Sequence, residues 1–460
     1  MIGFLMLAHV ALLILSIIMD RRTGVNRLRS LVLPVGFSFV YTSVVQAGAA
    51  VQNLGYGLDQ NNIATALWAS LMSYLAVLLA YRFAPDNGRR SSFARKNIVP
   101  LRLNSFGMFF FVAGLIGYYL SMQAVGGWRA LLNMEDWTGN LYDISGYIYM
   151  LRYACYAAVA LWLMSLSLHV LPPLLHGLLI LLMLWLLFEA VQMTDRGDTI
   201  RASLPIVAWF YIVTRRYRYR IEYRLLGNLV IASMLLFVGL AGILLPEFRD
   251  VDRSMLRSDT TLAVALERSR AKNASSRASE GGGEFDTGAR IIKRVNAGEI
   301  NPPGPVHIGR LIWNIVPRAL VPNKHEIYEA WAGKNYMEVR YGCISYMGCS
   351  STGWGEAYGM MGWFGAILYW ALFGFGIRRF EYWFGESAVG LIVSAICYLP
   401  LVQFVVQDFW AGGMNTSIVV LPVLVILKLS QRTGVGGENS LRTAQTRRKQ
   451  KPTAIRNLAS

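Results

Sequence analysis

The sequence predicts an all-α protein that crosses a membrane about eleven times and carries one long loop on its outer face. Three observations predict this fold class: the composition, the recurrence of long apolar runs, and an uneven distribution of lysine and arginine. Of the 460 residues, 55% are hydrophobic and 15% are charged, and the mean hydropathy is +0.40. These values are typical of an integral membrane protein and lie outside the balance of a soluble domain.

Apolar runs of membrane-spanning length recur along the whole chain. A hydrocarbon core of about 30 Å requires roughly 20 apolar residues per helix, and a helix satisfies its own backbone groups there. The seventh run is short and is expected to extend past the charges at one end. We expect spans at 2–19, 31–50, 63–83, 105–124, 146–170, 175–193, 202–214, 225–245, 357–376, 387–405 and 413–427.

The first run is interpreted as a span and not as a secretory signal. It lacks a basic segment before it, and "DRRTGVNRLRS" follows it in place of a small-residue cleavage site.

Basic residues divide the loops into two classes. Cytoplasmic loops retain lysine and arginine, and alternate loops, together with the tail from Lys428, carry 25 of them, whereas the opposite short loops carry 3. We therefore expect the N-terminus outside and the C-terminus in the cytoplasm. The formal charge of +17 then serves orientation and contact with anionic lipid. Nucleic acid is not an expected partner.

The chain is expected to divide into four parts. They are spans 1 to 8 in residues 1–245, an extracytoplasmic loop in 246–356, spans 9 to 11 in 357–427, and a basic, disordered tail in 428–460. Within the loop, an amphipathic pattern around Arg290 to Ala297 predicts a short helix. A second short helix is expected near Leu311 to Leu320, ending in a turn rigidified by proline that presents Arg318 and Lys324.

The four cysteines fall into two pairs. Cys155 and Cys397 lie in apolar runs, where a free cysteine packs as a small hydrophobic residue. Cys343 and Cys349 flank "ISYMG" in the outer loop, where they either form a disulfide or remain free. No metal site and no cofactor is expected, because the chain lacks the metal, nucleotide and nucleophile motifs and its five histidines are scattered.

A cluster of charge lies between the sixth and seventh apolar runs, in "MTDRGDTIR" at residues 193–201. The planar guanidinium group donates paired hydrogen bonds to phosphate. Arg196, Arg201 and Arg318 fall on the same predicted face, so the pattern indicates a site for a lipid pyrophosphate at the edge of the bilayer. The alternative is that Arg196 and Arg201 pair with Asp195 and Asp198 and extend to the headgroups.

Three further charged residues are candidates for function. Arg152 lies inside the fifth apolar run, where an arginine indicates either a functional group or a buried ion pair. Glu356 lies at the mouth of the ninth run, and the alternative there is an interfacial carboxylate paired with a basic loop residue. His325 in the outer loop is either a proton acceptor or an exposed loop residue.

Three segments occur in an order that resembles a known family. They are "DRGD" at the outer end of a middle span, "IVPRALVPNKHE" in the long loop, and "GWGEAYGMMGWFGAILYWALFGFG" at the start of a late span. This order resembles the bacterial O-antigen and exopolysaccharide repeat-unit polymerases of the Wzy type. The resemblance covers about the C-terminal 60% of the chain, and its motifs are short.

The resemblance implies an inner-membrane glycosyltransferase of the GT-C class that uses no nucleotide sugar. Such an enzyme transfers a glycan from undecaprenyl pyrophosphate to the hydroxyl at the non-reducing end of another lipid-linked repeat unit. A separate co-polymerase that regulates chain length is an implied partner. Carried over by position, the residues that would bind the pyrophosphate are Arg196, Arg201, Arg318 and Lys324, with Arg152 as a further candidate.

The proton acceptor for the acceptor hydroxyl is not fixed by the family pattern. Glu356 is the first choice, followed by Asp198 and His325. Two related functions stay open. The first is an O-antigen ligase. Such ligases usually have a different pair of residues after their loop histidine, whereas His325 here is followed by Glu326 and Ile327.

A flippase or transporter would line a pathway with Arg152, Arg196 and Arg201, although the hydropathy lacks paired halves. A third class is an assembly protein whose outer loop only recruits partners.

Overall fold

The computed structural model describes residues 1–22, 30–52, 58–85, 98–124, 150–193, 196–216, 284–299, 351–384, 388–407 and 409–431, with a few single residues between 302 and 327. In these residues the regular secondary structure is helical. They contain no strand, and one isolated β-bridge joins Ile98 and Gln431. The prediction of an all-α protein is confirmed.

The helices follow the predicted apolar runs. Two of them contain a π-helical turn between α-helical segments: α2 is built from Val32–Val40, Tyr41–Gln46 and Ala47–Gln52, and α11 from Phe409–Asn415, Thr416–Val420 and Leu421–Leu429. The remaining helices are α1 Ile2–Arg22, α3 Gln60–Phe83, α4 Pro100–Ala124, α5 Ala154–Ser167, α6 Pro173–Met193, α7 Arg196–Arg216, α8 Glu284–Asn296, α9 Gly353–Phe384 and α10 Ala388–Val406.

Six of these helices are long and apolar enough to cross a membrane, namely α1, α2, α3, α4, α9 and α10. Shorter apolar helices occupy three further predicted runs, at Ala154–Ser167, Pro173–Glu189 and Thr416–Leu429. The chain is therefore a helical protein with several candidate membrane spans. The predicted run at 225–245 and the predicted helix at 311–320 lie outside the described residues, so the number eleven stays a prediction.

The charged residues at 196–201 do not lie in the loop that the hydropathy predicted. Helix α7 begins at Arg196, so Arg196, Asp198 and Arg201 lie in its first two turns. The expected extension of the seventh run past the charges is confirmed. A carboxylate in a first helical turn interacts favourably with the helix dipole, which explains why the charge does not end the helix.

The glycine-rich start of the ninth run contains a break. Helix α9 is interrupted at Met361 (φ −146°) and Gly362, whose φ of +61° suits glycine. The short segment before the break, Gly353–Met360, is buried throughout. The backbone N–H of Gly304 in the outer loop donates to the carbonyl of Met360 at 2.9 Å. Glu356 therefore lies in the first turn of α9 and is buried there, and its position at the mouth of a membrane span stays a prediction.

Helix α5 lies at the centre of one half of the molecule. Every residue from Ala154 to Leu166 is buried, and Cys155 and Cys397 are both buried and free, as predicted. The glycines of one face of α4 lie against α5, because a Cβ atom at Gly107 or Gly114 would collide with Trp162 or Cys155. Small residues at such a crossing allow membrane helices to approach closely.

Hydrogen bonds join the helix ends in two groups. At one end of the bundle, Glu381 of α9 accepts from the backbone N–H of Leu31 and from the hydroxyl of Tyr81, each at 2.6 Å. At the opposite end, called the α8 end below, the backbone N–H of Phe285 donates to Gln46 Oε1 at 3.1 Å. These contacts place the start of α2 with the ends of α3 and α9, and the end of α2 with α8.

Candidate functional site

Three of the predicted site residues are buried towards the α8 end. Arg152 is 2% exposed, Arg201 is 9% exposed and Glu356 is 1% exposed. Long charged side chains are seldom buried to this extent unless they are paired or functional. Their partners therefore decide which of them is available to a ligand.

Arg201 lies in the second turn of α7 against two aromatic rings. Its guanidinium carbon is 4.1 Å from the centre of the Tyr153 ring and 5.3 Å from that of Tyr156. A cation over an aromatic face is stabilised by about 0.5 to 2 kcal/mol, depending on its solvation. The rings hold the guanidinium plane in place and leave its edges for hydrogen bonds.

One edge of this guanidinium group contacts α11. Arg201 Nη2 donates to Asn415 Oδ1 at 2.5 Å, and Asn415 Nδ2 donates in turn to Gln403 Oε1 of α10 at 2.5 Å. Because the oxygen of the Asn415 amide accepts a hydrogen bond and its nitrogen donates one, these two bonds fix the orientation of the amide. Arg201 is thus joined to α10 and α11 by side chains that the sequence analysis did not identify.

Arg152 is the second arginine at this end, and it forms a buried ion pair. Its Nη1 atom donates to Glu189 Oε1 of α6 at 2.7 Å, and the hydroxyl of Tyr118 donates to the other oxygen of Glu189. Its guanidinium carbon is 5.0 Å from the centre of the Tyr153 ring. The two arginines therefore share one aromatic ring, and of the two predicted readings of Arg152 the ion pair is confirmed.

A small cleft lies next to Arg201 between α7, α10 and α11. Its volume is about 20 Å³, which admits roughly one water molecule. Arg201, Asn415 and Tyr156 line it together with six apolar residues, Pro205, Ala395, Ile396, Leu399, Pro400 and Val419. Arg201 and Asn415 each lie about one turn nearer the α8 end than Pro205 and Val419 of the same helices. In the cleft, the guanidinium group of Arg201 therefore lies nearer the α8 end, and the apolar side chains lie one helical turn further from it.

Each of the three helices around the cleft is irregular at that place. Pro205 and Pro400 interrupt the hydrogen bonding of α7 and α10, and Val419 belongs to the π-helical turn of α11. The hydroxyls of Thr416 and Ser417 donate to the carbonyls of Gly412 and Gly413 at 2.8 and 2.9 Å. Prolines and π-turns are the usual places where helices bend, so each of the three helices has such a place beside the cleft.

Glu356 makes its contact with the start of α11. Its Oε2 atom accepts the backbone N–H of Phe409 at 2.8 Å, and its own backbone N–H donates to the carbonyl of Thr352 at 2.9 Å. Asn415, the partner of Arg201, lies six residues after Phe409 on the same helix. The predicted residues Glu356 and Arg201 are thus connected through α11.

Helix α8 packs against α2 near Gln46 and against the first turns of α9. Gln46 accepts from the backbone of Phe285 and donates to Glu284, Tyr358 donates to Asn296 at 2.6 Å, and Gly355 lies against the backbone of Gly288. The short helix expected near Arg290 to Ala297 is confirmed with an earlier start. Burial raises the pKa of the Asp286 carboxyl on this helix, and the nearby Arg290 opposes the shift.

The other predicted residues are outside what the structure describes. The backbones of Arg196 and Asp198 belong to α7, but their side chains are not described. The structure describes no part of the remaining predicted residues, which are Arg318, Lys324, His325, Cys343 and Cys349. The described residues contain no group of three or more His, Cys, Asp or Glu side chains that would hold a metal ion.

Several residues of the site escaped the sequence analysis. Glu189 offered a signal, because it is a carboxylate near the end of the otherwise apolar run "LLILLMLWLLFEAVQM" and such a residue needs a partner. Asn415, Gln403 and Tyr153 offered none, because their role depends on contacts between helices that are far apart in sequence.

Comparisons with protein-family models, with curated proteins and with solved structures found no match to this chain.

Proposed function

We propose that this protein is a polymerase of lipid-linked oligosaccharide repeat units in the bacterial inner membrane. It would transfer a glycan from undecaprenyl pyrophosphate to the hydroxyl at the non-reducing end of another lipid-linked repeat. The observation that carries the proposal is the position of Arg201 beside an apolar cleft. A lipid pyrophosphate has the same order of polarity, with a dianionic head directly followed by hydrocarbon, and the helices around the cleft would have to separate for it to enter.

The surroundings of Arg201 support an anionic ligand. A guanidinium group that is 9% exposed has lost most of its hydration, so an anion that reaches it meets little competition from water. Arg201 lines the cleft, whereas Arg152 does not, so Arg201 is the better candidate for the phosphate. Arg196, Arg318 and Lys324 stay candidates by the family resemblance.

The chemistry requires a cation where the leaving group departs. The oxygen of the acceptor hydroxyl attacks the anomeric carbon of the donor sugar, and the bond from that carbon to the pyrophosphate oxygen breaks. The hydroxyl proton passes to a base, and the electron pair leaves with the lipid pyrophosphate. Negative charge grows on the pyrophosphate in the transition state, so a fixed guanidinium group beside it lowers the barrier.

The proposed topology has eleven spans and belongs to the GT-C class. The α8 end would face the periplasm, because the basic loops of the sequence are joined to the opposite ends of the helices. The N-terminus would be periplasmic, the C-terminal tail cytoplasmic, and the outer loop available to donor, acceptor and a chain-length co-polymerase. No cofactor is part of the proposed reaction.

The proposal is tested by deleting the gene and separating the surface glycan on a gel. Loss of polymer with single repeat units still attached to the acceptor lipid is the expected result. Uncapped acceptor lipid would indicate a ligase instead, and lipid-linked repeats confined to the cytoplasm would indicate a flippase. Either outcome would overturn the polymerase.

Complementation of the deletion then tests the site. Arg201→Ala is expected to yield only single repeats, whereas Arg379→Ala, a matched arginine variant at the opposite end of the bundle, restores the full ladder. Membrane fractions from both strains confirm that each variant inserts. Full-length polymer from Arg201→Ala would exclude this arginine from the reaction.

A further inference from the structure

We infer that Glu356 is a positioning residue that fixes Arg201 through helix α11 and does not accept the proton of the acceptor hydroxyl. The inference rests on the proposed function, because Arg201 is the pyrophosphate ligand in that proposal. It replaces the prediction from sequence that Glu356 is the first choice of base.

The first step of the argument is the contact between Glu356 and the start of α11. Phe409 is the first residue of that helix, and its N–H donates to the carboxylate at 2.8 Å. The first N–H groups of a helix have no partner within the helix, and a negative charge is favoured beside them. The carboxylate therefore holds the end of α11 against α9.

Aromatic contacts fix the same end of α11. The rings of Tyr369 and Phe409 are stacked with their centres 3.9 Å apart. Gly412 lies so close to Phe404 of α10 that a Cβ atom there would be 2.6 Å from its ring. With α9 and α10 both in contact, the first turns of α11 have little freedom to shift while Glu356 keeps its hydrogen bond.

The second step leads from the end of α11 to the arginine. Asn415 lies about 9 Å along the axis from Phe409, at about 1.5 Å per residue. Its amide oxygen accepts from Arg201 at 2.5 Å. A displacement or rotation of the start of α11 moves Asn415 with it and changes the orientation of the guanidinium group.

The third step concerns what the carboxylate can reach. A general base must come within hydrogen-bonding distance of the hydroxyl whose proton it takes. Glu356 is 1% exposed, and the whole segment Gly353–Met360 that carries it is buried. Its carboxylate is placed for a structural hydrogen bond, and it has almost no exposed surface that a sugar hydroxyl could contact. Among the predicted bases, Asp198 and His325 then remain for the proton.

The test uses the full-length protein in nanodiscs of phosphatidylethanolamine and phosphatidylglycerol. The variants are Glu356→Gln, Glu356→Ala, Asn415→Ala and the double variant Glu356→Ala with Asn415→Ala. The rate of joining repeat units is measured against substrate concentration and pH, and binding of undecaprenyl pyrophosphate is measured separately. Glutamine keeps an oxygen that accepts the N–H of Phe409, but it cannot take a proton.

The expected result separates the two roles of Glu356. Glu356→Gln keeps kcat/KM within about threefold and leaves the pH profile unchanged. Glu356→Ala and Asn415→Ala each weaken pyrophosphate binding by about tenfold, as the loss of one hydrogen bond to a charged group predicts. The double variant is no weaker than either single variant, because both changes interrupt the same path of contacts from Glu356 through α11 to Arg201.

Three results would overturn the inference. A loss of kcat in Glu356→Gln as large as that in Glu356→Ala, or the loss of one limb of its pH profile, would identify Glu356 as a proton acceptor. Additive losses in the double variant would show that Glu356 does not act through α11. If the wild-type protein joins no repeat units at all, the polymerase is excluded, and the binding measurements still decide whether Glu356 positions Arg201.

Discussion

The guanidinium carbon of Arg201 lies 4.1 Å from the centre of the ring of Tyr153. The same ring contacts Arg152, whose charge is balanced by Glu189. One tyrosine therefore stands between an arginine with an ionic partner on α6 and an arginine that faces a cleft. This arrangement keeps two cations close together at the α8 end while giving each a different environment.

Substitution of Tyr153 tests the aromatic contact. Tyr153→Phe retains the ring and loses only the hydroxyl that accepts from Arg152 at 3.2 Å, so polymer length should change little. Tyr153→Ala removes the contact of Arg201 and should shorten the polymer, because the cation loses about 0.5 to 2 kcal/mol of stabilisation. Gel analysis of the glycan checks both variants, and equal polymer from the two would show that the ring does not hold Arg201.

The ion pair between Arg152 and Glu189 predicts a strongly non-additive double-mutant cycle. Arg152→Gln or Glu189→Gln alone leaves a buried charge without its partner, which should lower the free energy of unfolding by about 3 to 5 kcal/mol. The double variant should recover most of this loss. Unfolding of the purified protein in detergent measures the cycle, with Arg379→Gln as a control. Additive losses would mean that the two side chains do not interact.

The cleft predicts a steric effect of a larger side chain. Ala395→Phe fills space in a cleft of about 20 Å³ next to Arg201 and should keep the hydrocarbon of a lipid pyrophosphate out. Gly376→Phe is the matched control, because no atom of the protein lies within 4 Å of a Cβ at that position. Ala395→Phe is expected to shorten the polymer although the amount of the variant protein in the membrane stays normal. A glycan ladder of undiminished length would exclude the cleft as the lipid site.

The break in α9 predicts a conformational cost at one glycine. Gly362 has a φ of +61°, and Gly376 of the same helix has an ordinary φ; both have open space for a Cβ atom. Gly362→Ala should therefore lower the free energy of unfolding by about 1 to 2 kcal/mol, whereas Gly376→Ala should be neutral or slightly stabilising. Thermal unfolding in detergent compares the pair, and equal shifts would argue against the break.

The sequence predicted those features that depend on local pattern. Composition and apolar runs predicted the helices. The charges of "DRGD" were assigned to a loop, because hydropathy registers them as a boundary, whereas the backbone continues as a helix from Arg196. Charge on a helix end is tolerated where the dipole and nearby side chains stabilise it.

The partners of the buried charges could not be predicted in the same way. Arg152 was predicted to be either a functional group or one half of a buried ion pair, and its pairing with Glu189 follows from the packing of α6 beside α5. The hydrogen bond from Arg201 to Asn415 joins residues that are 214 positions apart. No periodicity reports such a contact, so the role of α11 in the site emerges only from the folded structure.

The most direct test of the central claim is polymerisation by the purified protein in nanodiscs supplied with lipid-linked repeat units. The length of the products is read on a gel for the wild type, Arg201→Ala and Arg379→Ala. The account predicts a ladder of glycans from the wild type and from Arg379→Ala, and unextended single repeats from Arg201→Ala. No ladder from the wild type, or the same ladder from all three proteins, would contradict it.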